Sequence, residues 1–165
     1  MVKYNTEFNM PQKLDNRELL KILQFYLFEC PVEGTSHRGK KFKELGYSGS
    51  RAFGALKKEL LRTATPSLAH NFKPSTREEI KANLESVENI SYPDEYCVYL
   101  KNSKSGIIQS MFSAIRNSFA HGSFNVRSYS HTRIFYLSNY KDYEKARMIL
   151  HEKTLLRWIE IIKGE

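Results

Sequence analysis

Ile108, Met111, Ile115 and Phe119 recur at steps of three and four, and the run stops at His121-Gly122. That spacing predicts a helix from about Ser103 to His121 with one wholly apolar side. Such a helix has to be covered by other elements, so it sets the centre of whatever the chain folds into. Gly122 suits the left-handed position that ends a helix. The same end carries chemistry: Arg116, Asn117, Ser118 and His121 follow one another closely there.

A chain of 165 residues is the length of a single domain, 1–165, and can bury a core without staples. Cys30 and Cys97 are far apart and form no CxxC, which disfavours a structural zinc and suits a reducing, cytoplasmic setting. Met1 to Asn9 is polar and does not read as a signal peptide. No apolar run approaches the ~20 residues that span a bilayer. No metal or cofactor is expected: there is no HExxH, no GxSxG and no glycine-rich phosphate loop.

The remaining pattern predicts a mainly α chain. Leu14 to Cys30 reads as the first helix, with Asp15 and Glu18 as a capping box and Leu20, Leu23 and Leu27 as its buried stripe. Pro31 and Gly34 end it. Thr65 to Pro74 reads as a loop, and Ser75 with Glu78 as a second capping box opening a helix to about Asn89. Ser91 to Asp94 is a turn, and Tyr96 to Leu100 is short and β-prone. Phe124–Tyr129 and Arg133–Asn139 look like a small hairpin. A last helix is predicted from about Asp142 to Ile162, with Trp158 anchoring it in the core or in a dimer interface.

The net charge is +8, and most of it sits between His37 and Arg62, where eight basic side chains face two acidic ones. A basic surface attracts polyanions. Arg38, Lys40, Lys41, Lys57 and Lys58 are the candidate nucleic-acid contacts of this basic helical insert. Two short helices around Gly46 would make either a helix-turn-helix or packed scaffold with a solvated cationic face.

Arg116, Asn117 and His121 are the candidate catalytic residues, with Ser118 as an auxiliary hydroxyl. Arginine offers a planar fork of donors matched to phosphate oxygens. Histidine can give or take a proton at working pH. Asn117 and His121, four apart, share a helix face. Arg116 and His121, five apart, point about 140° away from each other. One helix therefore does not bring the three together, and a symmetric second copy would supply the missing surface. The bland alternative is an arginine and a histidine that bond the last carbonyls of the helix.

The segment Arg116-Asn117-Ser118-Phe119-Ala120-His121 resembles the R-x4-6-H motif of the HEPN superfamily, in which a polar residue, often Asn, follows the arginine. The resemblance implies a helical bundle with a small hairpin before the C-terminal helix. It implies a homodimeric, metal-independent endoribonuclease, with the 2′-OH attacking its own phosphate, His121 as acid or base and Arg116 stabilising the charged phosphorane. It also implies RNA as partner and a toxin or antiviral defence setting, in which a protein antitoxin would be a second partner. The alternative function is a non-catalytic nucleic-acid-binding module that uses residues 37–62.

Overall fold

In the computed structural model, which describes residues 16–32 and 39–165, five strands form one mixed sheet in the order β1-β2-β5-β4-β3. They are β1 (Phe72–Ser75), β2 (Tyr96–Leu100), β3 (Phe124–Tyr129), β4 (Thr132–Lys141) and β5 (Tyr143–His151). β1 and β2 run parallel, and the other pairs are antiparallel. The helices are α1 (Asn16–Gln24), α2 (Gly49–Thr63), α3 (Pro66–His70), α4 (Ile80–Ser86), α5 (Ile107–Ala120) and α6 (Glu152–Lys163). The protein is therefore α/β, and the expected mainly α helical bundle is overturned by this sheet.

β5 makes the largest difference. Residues 142–151 were expected to belong to the last helix, and Glu144, Lys145, Ala146, Arg147 and Met148 are helix-prone residues. Instead, Tyr143–His151 is a central strand paired on both edges, with β2 and β4. Ala146, Met148 and Leu150 alternate into one cluster and Ile149 into the other, the period-two signature of a strand. Pairing on two edges and burial on two faces outweigh a helix preference worth tenths of a kcal/mol per residue. The helix begins only at Glu152, after His151 in extended backbone (φ −71, ψ 147).

The sheet separates two apolar clusters. The larger packs α1, α2, α5 and α6 onto Cys97, Tyr99, Phe135, Leu137, Met148 and Leu150. Trp158 lies wholly inside it, its indole N–H donating to Leu60 O at 2.9 Å. The smaller lies on the other face, where Ile80 and Leu84 of α4 and Val87 just after it cover Tyr96, Val98, Ile134 and Ile149.

Other expectations shift locally. α1 turns by one position: Leu19, Ile22, Phe25 and Tyr26 are buried, Leu23 and Leu27 only half so, and Leu20 is 62% exposed. A π-helical turn, Phe25–Glu29, follows α1. Leu14, Asp15 and Gly34 lie outside the described residues. The expected loop of residues 65–74 holds α3 and β1. Pro74 is tolerated there because β1 is an edge strand. The capping pair falls one residue later than expected: Thr76 N donates to Glu79 Oε2 at 3.0 Å and Glu79 N to Thr76 Oγ1 at 3.3 Å, while Ser75 ends β1.

The basic segment is part of the scaffold. Phe42, Leu56 and Leu60 sit in the large cluster. Phe42–Leu45 is a single 3₁₀ turn ahead of α2, so no helix-turn-helix pair forms.

Candidate functional site

α5 is built to be enclosed, with eight of its residues buried from Ile108 to Phe119. It stops at His121, and Gly122 takes φ 66. Gly122 N donates to Phe119 O at 3.2 Å, and Ser123 N to Ser118 O at 2.8 Å. These two backbone bonds form a Schellman closure, which occupies carbonyls that a histidine cap would otherwise take. The His121 side chain is exposed, and among the described residues no hydrogen bond or ion pair reaches its imidazole.

Arg116 and Asn117 come together one turn back. Arg116 Nη1 donates to Asn117 Oδ1 at 3.0 Å. The half-buried guanidinium also lies close enough to Cys30 to act on its thiol: burial pushes that thiol up, and Arg116 pulls it partly back. Ser118 is fully buried and donates to Ala114 O at 2.9 Å, so it faces the core and not a substrate. The structure thus joins Arg116 to Asn117, leaves His121 in solvent at the helix end, and commits Ser118 to the helix.

Asn117 opens onto a polar cleft of about 230 Å³ between α5 and the ends of β2, β4 and β5, with Ser113, Asn139 and Lys145 in its wall. A register shift between Asn139 and Tyr140 falls beside it, a common way to re-aim side chains near a site. A larger cleft of about 680 Å³ adjoins, and Leu100, Asn102 and Ser105 line both. Asn102 N donates to Ser110 Oγ at 2.9 Å and Lys104 N to Asn102 Oδ1 at 2.9 Å, which ties the shared loop to α5. Apart from Asn117, these cleft residues are not among the sequence-predicted ones. The expected helix start near Ser103 falls inside this loop, and α5 begins only at Ile107. Lys145 was hidden inside the misassigned helix.

The described basic candidates have different neighbours. Lys40 borders a cleft at the end of α6, beside Lys163, while Lys57 rides 5.5 Å over the Phe72 ring at the sheet edge. Lys41 and Lys58 are exposed, and Arg38 lies outside the described residues. His151 is engaged, its Nε2 2.9 Å from Pro93 O and its ring against Tyr92. Tyr96 and Tyr99 are buried. Among the described residues no three His, Cys, Asp or Glu side chains group as a metal site requires, and no helix is long and apolar enough to cross a membrane.

No protein-family model, curated protein or solved structure matches this chain. The resemblance to the HEPN superfamily therefore stands on the six motif residues, without the bundle it implied.

Proposed function

We propose that the protein is a metal-independent endoribonuclease whose chemistry sits at the carboxyl end of α5. One observation carries the reading: the backbone closes the helix by itself, so the His121 imidazole stays in solvent one turn from the Arg116–Asn117 pair. An exposed imidazole that does no capping is available for proton transfer.

In the reaction, the ribose 2′-OH loses its proton and its oxygen attacks the adjacent phosphorus. The bond from phosphorus to the 5′ oxygen breaks, and that oxygen takes up a proton. The products are a 2′,3′-cyclic phosphate and a 5′-OH end. His121 serves one proton transfer, and His121 of a second copy serves the other across a homodimer. Positioned proton transfer contributes typically 10²–10⁴-fold. Arg116 meets the charge that grows on the phosphorane, a contribution of similar size. The setting in this reading is a cytoplasmic toxin or defence effector, with a protein antitoxin as its second partner.

A binding-only reading is favoured by a different observation: Arg116 is half-buried, bonded to Asn117 and close to Cys30, as a structural arginine would be. Total RNA and tRNA incubated in EDTA with wild type and with folded His121→Ala separate the two. Cleavage by wild type alone, leaving cyclic-phosphate ends, is the expected result. Equal cleavage by both proteins removes His121 from the chemistry. RNA binding with no cleavage by either protein leaves the binding-only reading.

A further inference from the structure

The two clefts beside α5 share one wall, and together they make a groove that carries cations and no carboxylate. Arg77 and Lys101 border the larger cleft and Lys145 the smaller, and neither lining includes an Asp or Glu. The cations come from three separate places: the turn before α4, the end of β2 and the start of β5. Tyr143 draws two of them together, with the Arg77 guanidinium 5.4 Å and the Lys145 ammonium 5.2 Å from its ring centroid. Of the acids beside it, Glu79 accepts from Thr76 N and also acts electrostatically on Lys101, and Glu144 holds Arg147 through two hydrogen bonds.

We infer that this groove binds single-stranded RNA and leads its phosphodiester backbone to Asn117. The inference rests on the ribonuclease reading for its choice of polymer. The charge pattern favours a polyanion: three cations border the groove and no carboxylate lines it. The volumes suit unpaired nucleotides: about 680 Å³ and 230 Å³ are small-molecule-sized spaces. The remaining wall fits ribose and base edges. Asn102, Ser105, Ser113 and Asn139 present amides and hydroxyls, the partners that 2′-OH groups and unpaired base edges use. Asn117, which Arg116 holds, lines the smaller cleft, so a strand in the groove passes the proposed reaction site.

The test uses full-length protein carrying His121→Ala, so that binding is read without cleavage. A fluorescein-labelled oligo-rU 12-mer is titrated by anisotropy across a salt series, with and without Lys101→Gln and Lys145→Gln. Each lost phosphate contact on a single strand lowers the slope of log K against log salt by about 0.7, so the pair should lower it by about 1.4. That slope corresponds to binding about 25-fold weaker at 0.1 M salt and equal near 1 M. Circular dichroism confirms that the double variant is folded. The groove is rejected if affinity and slope do not change, or if Lys57→Gln and Lys58→Gln abolish binding while the groove pair does not. It is also rejected if the parent protein binds no oligo-rU. Weakened binding in the pair, with no cleavage by wild type, keeps the groove and discards the ribonuclease. Cleavage by wild type with unchanged binding in the pair does the reverse.

Discussion

Replacing Glu95 with alanine should destabilise the protein more than any surface change. Glu95 has no exposed surface, and its carboxylate accepts from four donors. Thr65 N lies 3.0 Å and Thr65 Oγ1 2.6 Å from Oε1, and Thr154 Oγ1 donates to the same oxygen at 3.1 Å. His151 N donates to Oε2 at 2.8 Å. Thr65 and His151 are the N-caps of α3 and α6, so one carboxylate serves the starts of two helices. Among the described residues no cation pairs with it; these donors and the two helix starts surround it. In the alanine variant the two hydroxyls can rotate toward other acceptors, but the two backbone amides cannot. A buried donor left without a partner costs about 1–3 kcal/mol, so the loss should be about 3–5 kcal/mol once partial relaxation is allowed. That is a fifth or more of the ~5–15 kcal/mol of a typical domain, and it should lower Tm by roughly 6–20 °C. Glu95→Gln keeps one acceptor oxygen and turns an amide N–H₂ toward one of the donors, so it should lose about 1–3 kcal/mol. Urea unfolding followed by circular dichroism gives both values. A Glu95→Ala protein within 1 kcal/mol of wild type would refute the claim that this carboxylate holds the two helix starts.

Trp158→Phe should cost roughly 2–3 kcal/mol, since it removes the bond to Leu60 O and leaves a gap at the centre of the large cluster; chemical denaturation reads it, and a loss under 1 kcal/mol contradicts the assigned packing. Cys30 and Cys97 are buried, and burial raises both thiols well above their usual range. Neither should react with a thiol reagent at pH 8 in the native protein, and both should react in urea, because the thiolate is the reactive form and it is populated only as pH rises through the raised value. Stoichiometric labelling of the folded protein would contradict that placement.

Parts of the fold and of the site were legible because their signals are local. The apolar spacing of Ile108, Met111, Ile115 and Phe119 and the glycine after His121 gave α5 and its end. Phe124–Tyr129 and the strand after it read as a hairpin, and they are one, with the turn at Ser130-His131. The basic lysines were visible as a charge count, but not as a place: Lys40 and Lys57 border different elements. Ser118 looked like a neighbour of the candidate catalytic groups, and only its burial shows that it belongs to the helix.

Local sequence by itself determined the buried face of α5, where it stops, and which side chains gather at its end, since helix period and the left-handed glycine act over a few residues; its start at Ile107, later than the expected Ser103, was not fixed locally. Only the tertiary structure decided that Tyr143–His151 is a strand, because the hydrogen bonds and burial that hold it come from residues 96–99 and 134–141. The groove has the same origin. Arg77, Lys101 and Lys145 are scattered along the chain, and they meet because β2 pairs with β1 on one side and β5 on the other. Contacts between residues far apart in sequence leave no periodic trace in it, so they become readable only once the sheet has formed.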